Sequence, residues 1–238
     1  VGPITSTTAT VSVNDPVVIT VQPVSTAVNP GAPVSLSVNA TGSGVLSYQW
    51  KKGGVNLNGG TGTTYAIGSA AESNEGEYTV VVSNVVGPVT STTAAVSVND
   101  PVVITAQPIS TVVNPGAPVS LSVNATGSGV LSYQWKKGGV DLSGGTGSTY
   151  VIASAEESNE GEYTVVVSNI VGPVTSTTAI VSVNDRVVIT AQPVKSVVTV
   201  GGTVSLSVTA TGTGPLLYQW KKGNQDISGE TLPMLKIT

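Results

Sequence analysis

The 238 residues contain no cysteine and no histidine, and only 9% of them are charged. The first absence excludes disulfides and thiol nucleophiles. Together the two remove the commonest general base and the usual zinc and copper ligands. A chain without cysteine fits either a reducing compartment or an exported protein that dispenses with disulfides. Ordinary soluble domains carry about 25% charged residues. Here the net charge is −4 with no basic stripe, so counterion release from nucleic acid has nothing to act on. No apolar run approaches the roughly 18 residues of a membrane span. Nor is this a disordered composition: mean hydropathy is +0.27, with short apolar runs punctuated by Gly, Pro, Ser, Thr and Asn.

What the chain has instead is repetition. Trp50, Trp135 and Trp220 lie 85 residues apart, and residues 16–100 match 101–185 at 74 of 85 positions. Such near-identity points to a tandem array. Within one period, Val34, Leu36, Val38 and Ala40 alternate with Ser35, Ser37 and Asn39, the period-two signature of a half-buried strand. Leu46, Tyr48 and Trp50 do the same, as do Tyr78, Val80 and Val82, and Thr92–Val98 supplies a further short strand. Pro23, Pro30 and Pro33 break the opening region into short extended pieces, as in an edge strand that switches sheets. No window shows helical periodicity. The predicted class is all-β, with the turn spacing of a sandwich.

Gly31, the strand Val34 to Ala40, Gly42, Trp50-Lys51-Lys52-Gly53, Asn74-Glu75-Gly76-Glu77-Tyr78-Thr79-Val80, Asn84 and Gly87 together resemble the intermediate-set immunoglobulin-like domain, of the cysteine-free kind found in large bacterial surface proteins. The resemblance implies a sandwich in which a tryptophan packs where the family has an inter-sheet disulfide, and in which a tyrosine makes a corner hydrogen bond. It places Val38 and Val80, then Val123 and Val165, at the two cysteine positions. Trp50, Tyr78, Trp135 and Tyr163 are the accompanying core residues, with Val208 and Trp220 in the third copy. Asn74 stands where the family usually has Asp. A disulfide closing a loop of about 42 residues would stabilise by roughly 4 kcal/mol, whereas each buried valine contributes about 1.5–3 kcal/mol. A packed valine pair therefore recovers much of what the missing bond would supply.

The expected domains are a final strand of a preceding module (1–15), two full modules (16–100 and 101–185), and an incomplete module lacking its last two strands (186–238). Residues 1–15 match 86–100, and 186–238 match 101–153 at 31 of 53 positions. A slice of a longer periodic protein is favoured over donation of residues 1–15 to a neighbouring subunit. The donated pieces would still lack the tyrosine-bearing strand. Short proline-stiffened linkers such as Val98-Asn99-Asp100-Pro101-Val102 lead us to expect an extended rod.

Each remaining chemical signal has a plainer reading. Glu72, Glu75 and Glu77 recur as Glu157, Glu160 and Glu162 and read as solvated loop charges, not a glycosidase pair. Gly59–Tyr65 lacks the ending of a phosphate loop and reads as a flexible turn. The Asn14-Asp15, Asn99-Asp100 and Asn184-Asp185 pairs are turn formers with too few ligands of their own for a calcium clip. Asn39-Ala40-Thr41 and Asn124-Ala125-Thr126 satisfy the glycosylation pattern. Lys51 and Lys52 keep a strand end soluble; an isopeptide bond would need a buried lysine beside a carboxylate. Val81, Ala94 or Ala95 and the Pro-Val-Val-Ile-Thr openings leave apolar surface that cannot all face one core, the mark of an interface.

The reading is a non-enzymatic structural protein with no cofactor, metal or catalytic residue: an extracellular or cell-surface fibre, stalk or filament whose partners are neighbouring copies. The alternative is a surface adhesin gripping a glycan or protein through module loops. Near-identity of the loops, and the lack of aromatics in them, weigh against it.

Overall fold

The computed structural model describes residues 1–238. By contact the chain divides into two compact units. One is Val1–Val102 with Gly127–Leu131 and Asn169–Gly172; the other is Val103–Thr126 with Ser132–Ser168 and Pro173–Thr238. These units do not coincide with the 85-residue period, and the first unit itself holds the reason. Asp100 N–H donates to Ser128 Oγ (2.8 Å), and Asn169 Nδ2 donates to Asp100 O (2.8 Å). Those bonds fasten two loops of the second repeat to the end of the first.

The first repeat is all strand apart from a 3-10 turn at Glu72–Asn74. Its strands are β1 (Val18–Val21), β2 (Thr26–Val28), β3 (Val34–Ser37), β4 (Asn39–Thr41), β5 (Ser47–Lys52), β6 (Val55–Asn56), β7 (Thr64–Ile67), β8 (Gly76–Ser83), β9 (Pro88–Thr90) and β10 (Ala94–Val98). One layer runs β2-β10-β8-β5-β6, with β9 folded against β8. In the other, β1 pairs with β4 and β3 with β7; β3 and β4 are separated only by Val38. The alternation read from sequence is what each layer buries. Val34 and Leu36 point inward from β3 and Tyr78, Val80 and Val82 from β8, while Ser35, Ser37 and Glu77 stay exposed.

Strand order follows from where ladders can form. The antiparallel pair β5–β8 runs over six positions with Trp50 opposite Val80. The second repeat reproduces every pairing, with Trp135 opposite Val165. In residues 186–238 the chain has no strand equivalent to β8, so Trp220 joins no ladder. Only Val188–Ala191 with Thr209–Thr211, Val204–Ser207 with Met234–Ile237, and Lys221–Lys222 with Gln225–Asp226 pair there. Residues 1–15 form no strand and are exposed throughout. No helix is long and apolar enough to cross a membrane.

The glycine run that resembles a phosphate loop is a strap over the buried indole. Trp50 N–H donates to Gly60 O (2.7 Å) and Trp50 Nε1 to Gly62 O (2.9 Å), while Gly60 N–H closes a turn onto Leu57 O (3.2 Å). A Cβ on Gly60 would sit 2.9 Å from Trp50 Cβ, so around the fully buried indole a side chain here would force the strap or the ring to shift. The indole is fully buried, yet its one donor is satisfied, as burial of a polar atom requires. Trp50→Ala should lower unfolding stability by about 3–5 kcal/mol, a large share of the roughly 5–15 kcal/mol of a typical domain. Gly60→Ala should cost about 1–3 kcal/mol by overpacking. Urea titration followed by far-UV circular dichroism checks both, and a loss under about 0.5 kcal/mol for either would contradict the strap.

Candidate functional site: the core and the terminal-strand clamp

Val38 and Val80 are 1% and 0% exposed and belong to one buried cluster with Trp50, Tyr78, Leu36 and Ala94. Val123, Trp135, Tyr163 and Val165 are equally buried in the second repeat. Val208 and Trp220 are only half-buried, since the strand that covers their counterparts has no equivalent in residues 186–238. Between indole and corner tyrosine stands a ring the sequence reading passed over. Tyr65 lies 6.4 Å from Trp50 and 6.1 Å from Tyr78, centroid to centroid, and Tyr150 repeats the arrangement. Period-two alternation in β7 was the available signal.

The tyrosine corner is made, and the Asn74 substitution does not disturb it. Tyr78 Oη donates to the backbone carbonyl of Asn74 (2.7 Å), and Tyr163 Oη to that of Asn159 (2.7 Å). The side chain at 74 does separate work, with Asn74 Oδ1 accepting from Ala71 N–H (2.9 Å). Burial pushes the Tyr78 and Tyr163 hydroxyls above the ordinary tyrosine range, and the neighbouring Tyr65 and Tyr150 add to the shift.

Several residues expected to be merely solvated have definite partners. Glu75 Oε1 accepts from Val98 N–H (2.7 Å), and Glu160 Oε1 from Val183 N–H (2.6 Å), so one glutamate of each loop triplet fastens the last strand. Lys52 Nζ donates to Ser73 O and lies 5.9 Å from the Tyr78 ring centre, within cation–π reach. It does not pair with a carboxylate. Lys136 pairs with Asp141 (2.5 Å), where the first repeat has Asn56. Asp15 and Asp100 take hydroxyl partners, Ser43 and Ser128, at 3.4 and 3.2 Å, and stand in no group of three metal-ligating side chains. The apolar Val-Val openings split: Val17 and Val102 are buried, while Val18 and Val103 are exposed. Ala94 turns inward and Ala95 outward.

The most densely laced feature is the contact between β2 and β10. These strands run parallel, with Thr26 opposite Val96 and Val28 opposite Val98. Side chains reinforce both ends. Ser25 Oγ accepts from Ala95 N–H (2.9 Å), and Gln22 Oε1 accepts from Thr92 N–H (2.9 Å). Asn99 donates through its N–H to Val28 O (2.8 Å) and through Nδ2 to Asn29 Oδ1 (2.8 Å). Gln107, Ser110 and Asn184 repeat these bonds in the second repeat.

Stability should fall as pH rises through the tyrosine range. The unfolded tyrosines release protons near pH 10 and the folded ones above it, so beyond that point the unfolded state binds fewer protons and gains in relative stability. Melting temperatures between pH 8 and 11.5 should therefore be flat and then decline. The Tyr78→Phe/Tyr163→Phe variant should lose about 1–2 kcal/mol per site at neutral pH and show a shallower alkaline decline; an unchanged decline would rule out these hydroxyls as its source.

The immunoglobulin domain model matches residues 16–84 and 101–169. Among curated proteins the chain is 26% identical to Hemicentin-1 of Homo sapiens over 157 residues, which is 60% of this chain and 3% of that protein. Among solved structures it resembles the I-band fragment I67–I69 from titin, with TM-score 0.68, 19% identity, and coverage of 93% of this chain and 88% of the fragment. It also resembles Sidekick-1 immunoglobulin domains 1–5, with TM-score 0.57, 24% identity, and coverage of 95% and 53%. Those structural likenesses bear on fold alone. Neither a bacterial source nor a filament follows from them. With two tandem matches spanning more than half of its length, the chain belongs to the immunoglobulin domain family.

Proposed function

We propose that this segment is a non-enzymatic, load-bearing spacer of an extracellular or cell-surface protein, and that its repeats work by resisting extension. The observation that carries the reading is the parallel pairing of β2 with β10. The chain enters a repeat through β1, passes into β2 and leaves beyond the end of β10. Because the strands are parallel, tension on the two ends pulls them past each other along their length. All inter-strand hydrogen bonds are then loaded together, whereas an antiparallel pair pulled from one end opens bond by bond. The lacing by Gln22, Ser25 and Asn99 adds bonds that must break in the same event.

Absence of cysteine suits the role, since resistance then depends on no oxidising machinery. Duplication at 74 of 85 positions, loops included, supports copy number over division of labour between repeats. Single-molecule stretching of the chain between terminal handles tests the reading. Two unfolding events of similar force are expected from residues 16–185. With Asn99 N–H on Val28 O, the register turns the N–H groups of Thr26 and Val28 toward β10, so Thr26→Pro, which removes one of them, should lower the force of one event well below that of the other. Equal forces in the variant would refute the clamp.

A further inference from the structure

Setting aside the three-residue β9, which opens on Pro88, three of the four sheet edges in the first repeat are guarded in ways that discourage pairing with another chain. The β1 edge carries a bulge between Ile19 and Val21 and lies between Pro16 and Pro23. The β2 edge is three residues long and soon meets Pro30. The β6 edge is two residues long. The fourth, β7, is unlike them. It pairs with β3 on one side and with nothing on the other. It holds no proline or charge, and none occurs between Gly53 and Ala71.

Register identifies the open groups. Val38 N–H donates to Thr63 O (2.9 Å), and Leu36 faces Tyr65, so alternation of the ladder turns the backbone N–H and C=O of Thr64 and Ala66 away from β3. The surface beside that edge is uncharged: Ser35, Ser37, Asn39 and Thr41 stand exposed beside Thr64 and Ala66. The second repeat presents the same edge at Thr149–Ile152, with Val151 60% exposed. Hydroxyls both donate and accept, and a surface without charge meets its own copy without repulsion. The third repeat supplies the internal contrast. At the positions of Thr63 and Ala66 it carries Pro233 and Lys236, two of the standard guards of an edge.

We infer that the open edges at Thr64–Ile67 and Thr149–Ile152 pair, antiparallel and about a two-fold axis, with the same edge of a second copy of this chain. The two short edge strands then become neighbours in one continuous sheet. This goes beyond the load-bearing reading and does not depend on it, since stretching a single molecule reports nothing about edge pairing. Contacts through four-residue strands fall in the weak class.

Sedimentation velocity of the full chain, produced without glycosylation because Asn39 and Asn124 flank these edges, tests the inference up to about 0.5 mM, a range suited to weak pairs. A concentration-dependent dimer is expected. Ala66→Lys/Val151→Lys, which copies the third repeat's own residue, should raise the dissociation constant at least tenfold with the melting temperature unchanged. Ser47→Lys/Ser132→Lys, the same added charge at exposed sites on the other sheet, should leave it within twofold. Hydrogen exchange on the unmodified chain gives a reading that needs no variant: the amides of Thr64, Ala66, Thr149 and Val151 should gain protection as concentration rises. A monomer throughout, a dimer that survives the edge lysines, equal loss in both variants, or exchange at these amides independent of concentration would each overturn the inference.

Discussion

A buried indole governs this fold. Trp50 has no disulfide beside it, so its position must be held by what surrounds it. Two backbone carbonyls of a glycine strap accept from its two N–H groups, β8 lies alongside it with Val80 opposite, and Tyr65 tilts against it. In the first two repeats glycine stands where the backbone meets the Trp Cβ, and strap and sheet together leave the ring no contact with water; the third repeat, with its indole half-exposed, carries Glu230 at that place. Residues 186–238 show the dependence by contrast. There the strap bonds survive, Trp220 donating to Glu230 O and Leu232 O at 3.0 and 2.9 Å. Without a strand in the place of β8, however, the indole remains half-exposed. Hydrogen bonds alone place the ring; the neighbouring strand of its own sheet completes its burial.

The low charge of the chain takes on a specific meaning in this setting. With few ionic groups available, fastening falls to neutral side chains and a handful of positioned carboxylates. Gln22, Ser25, Asn84 and Asn99 all bond to backbone or side chains distant in sequence, and Ser91, one of only two buried polar residues, bonds Val80 N–H (3.0 Å). No buried side-chain nitrogen or oxygen is left without a partner. Such satisfied polar contacts hold strand ends in register where salt bridges at the surface would contribute little. The same economy of charge leaves one sheet edge without the lysine that usually protects such edges, and the third repeat shows that this sequence framework accommodates one.

Residues differed in how far they could be read in advance. Val38, Trp50, Tyr78 and Val80 announced themselves through alternation and through a spacing that recurs twice. Glu75 did not, because the bond from Val98 N–H links residues 23 apart, and nothing local marks one glutamate of three as the one that reaches a strand. Lys52 likewise read as a solubilising charge until the turn at Ser73 and the ring of Tyr78 were brought beneath it. The substitution at Asn74 looked consequential by type. It has no effect on the corner because the tyrosine bonds the backbone at that position and not the side chain.

The all-β class, the 85-residue period and the inward faces of the strands were determined by the amino-acid sequence alone. Each is a property of residue identity and local spacing. Tertiary structure decided which glutamate fastens which strand, why the glycine run exists, that β2 lies parallel to β10, and which edge stays open. These depend on groups brought together from 10 to 70 positions apart, and one-dimensional periodicity carries no information about which distant backbone group will face a given side chain.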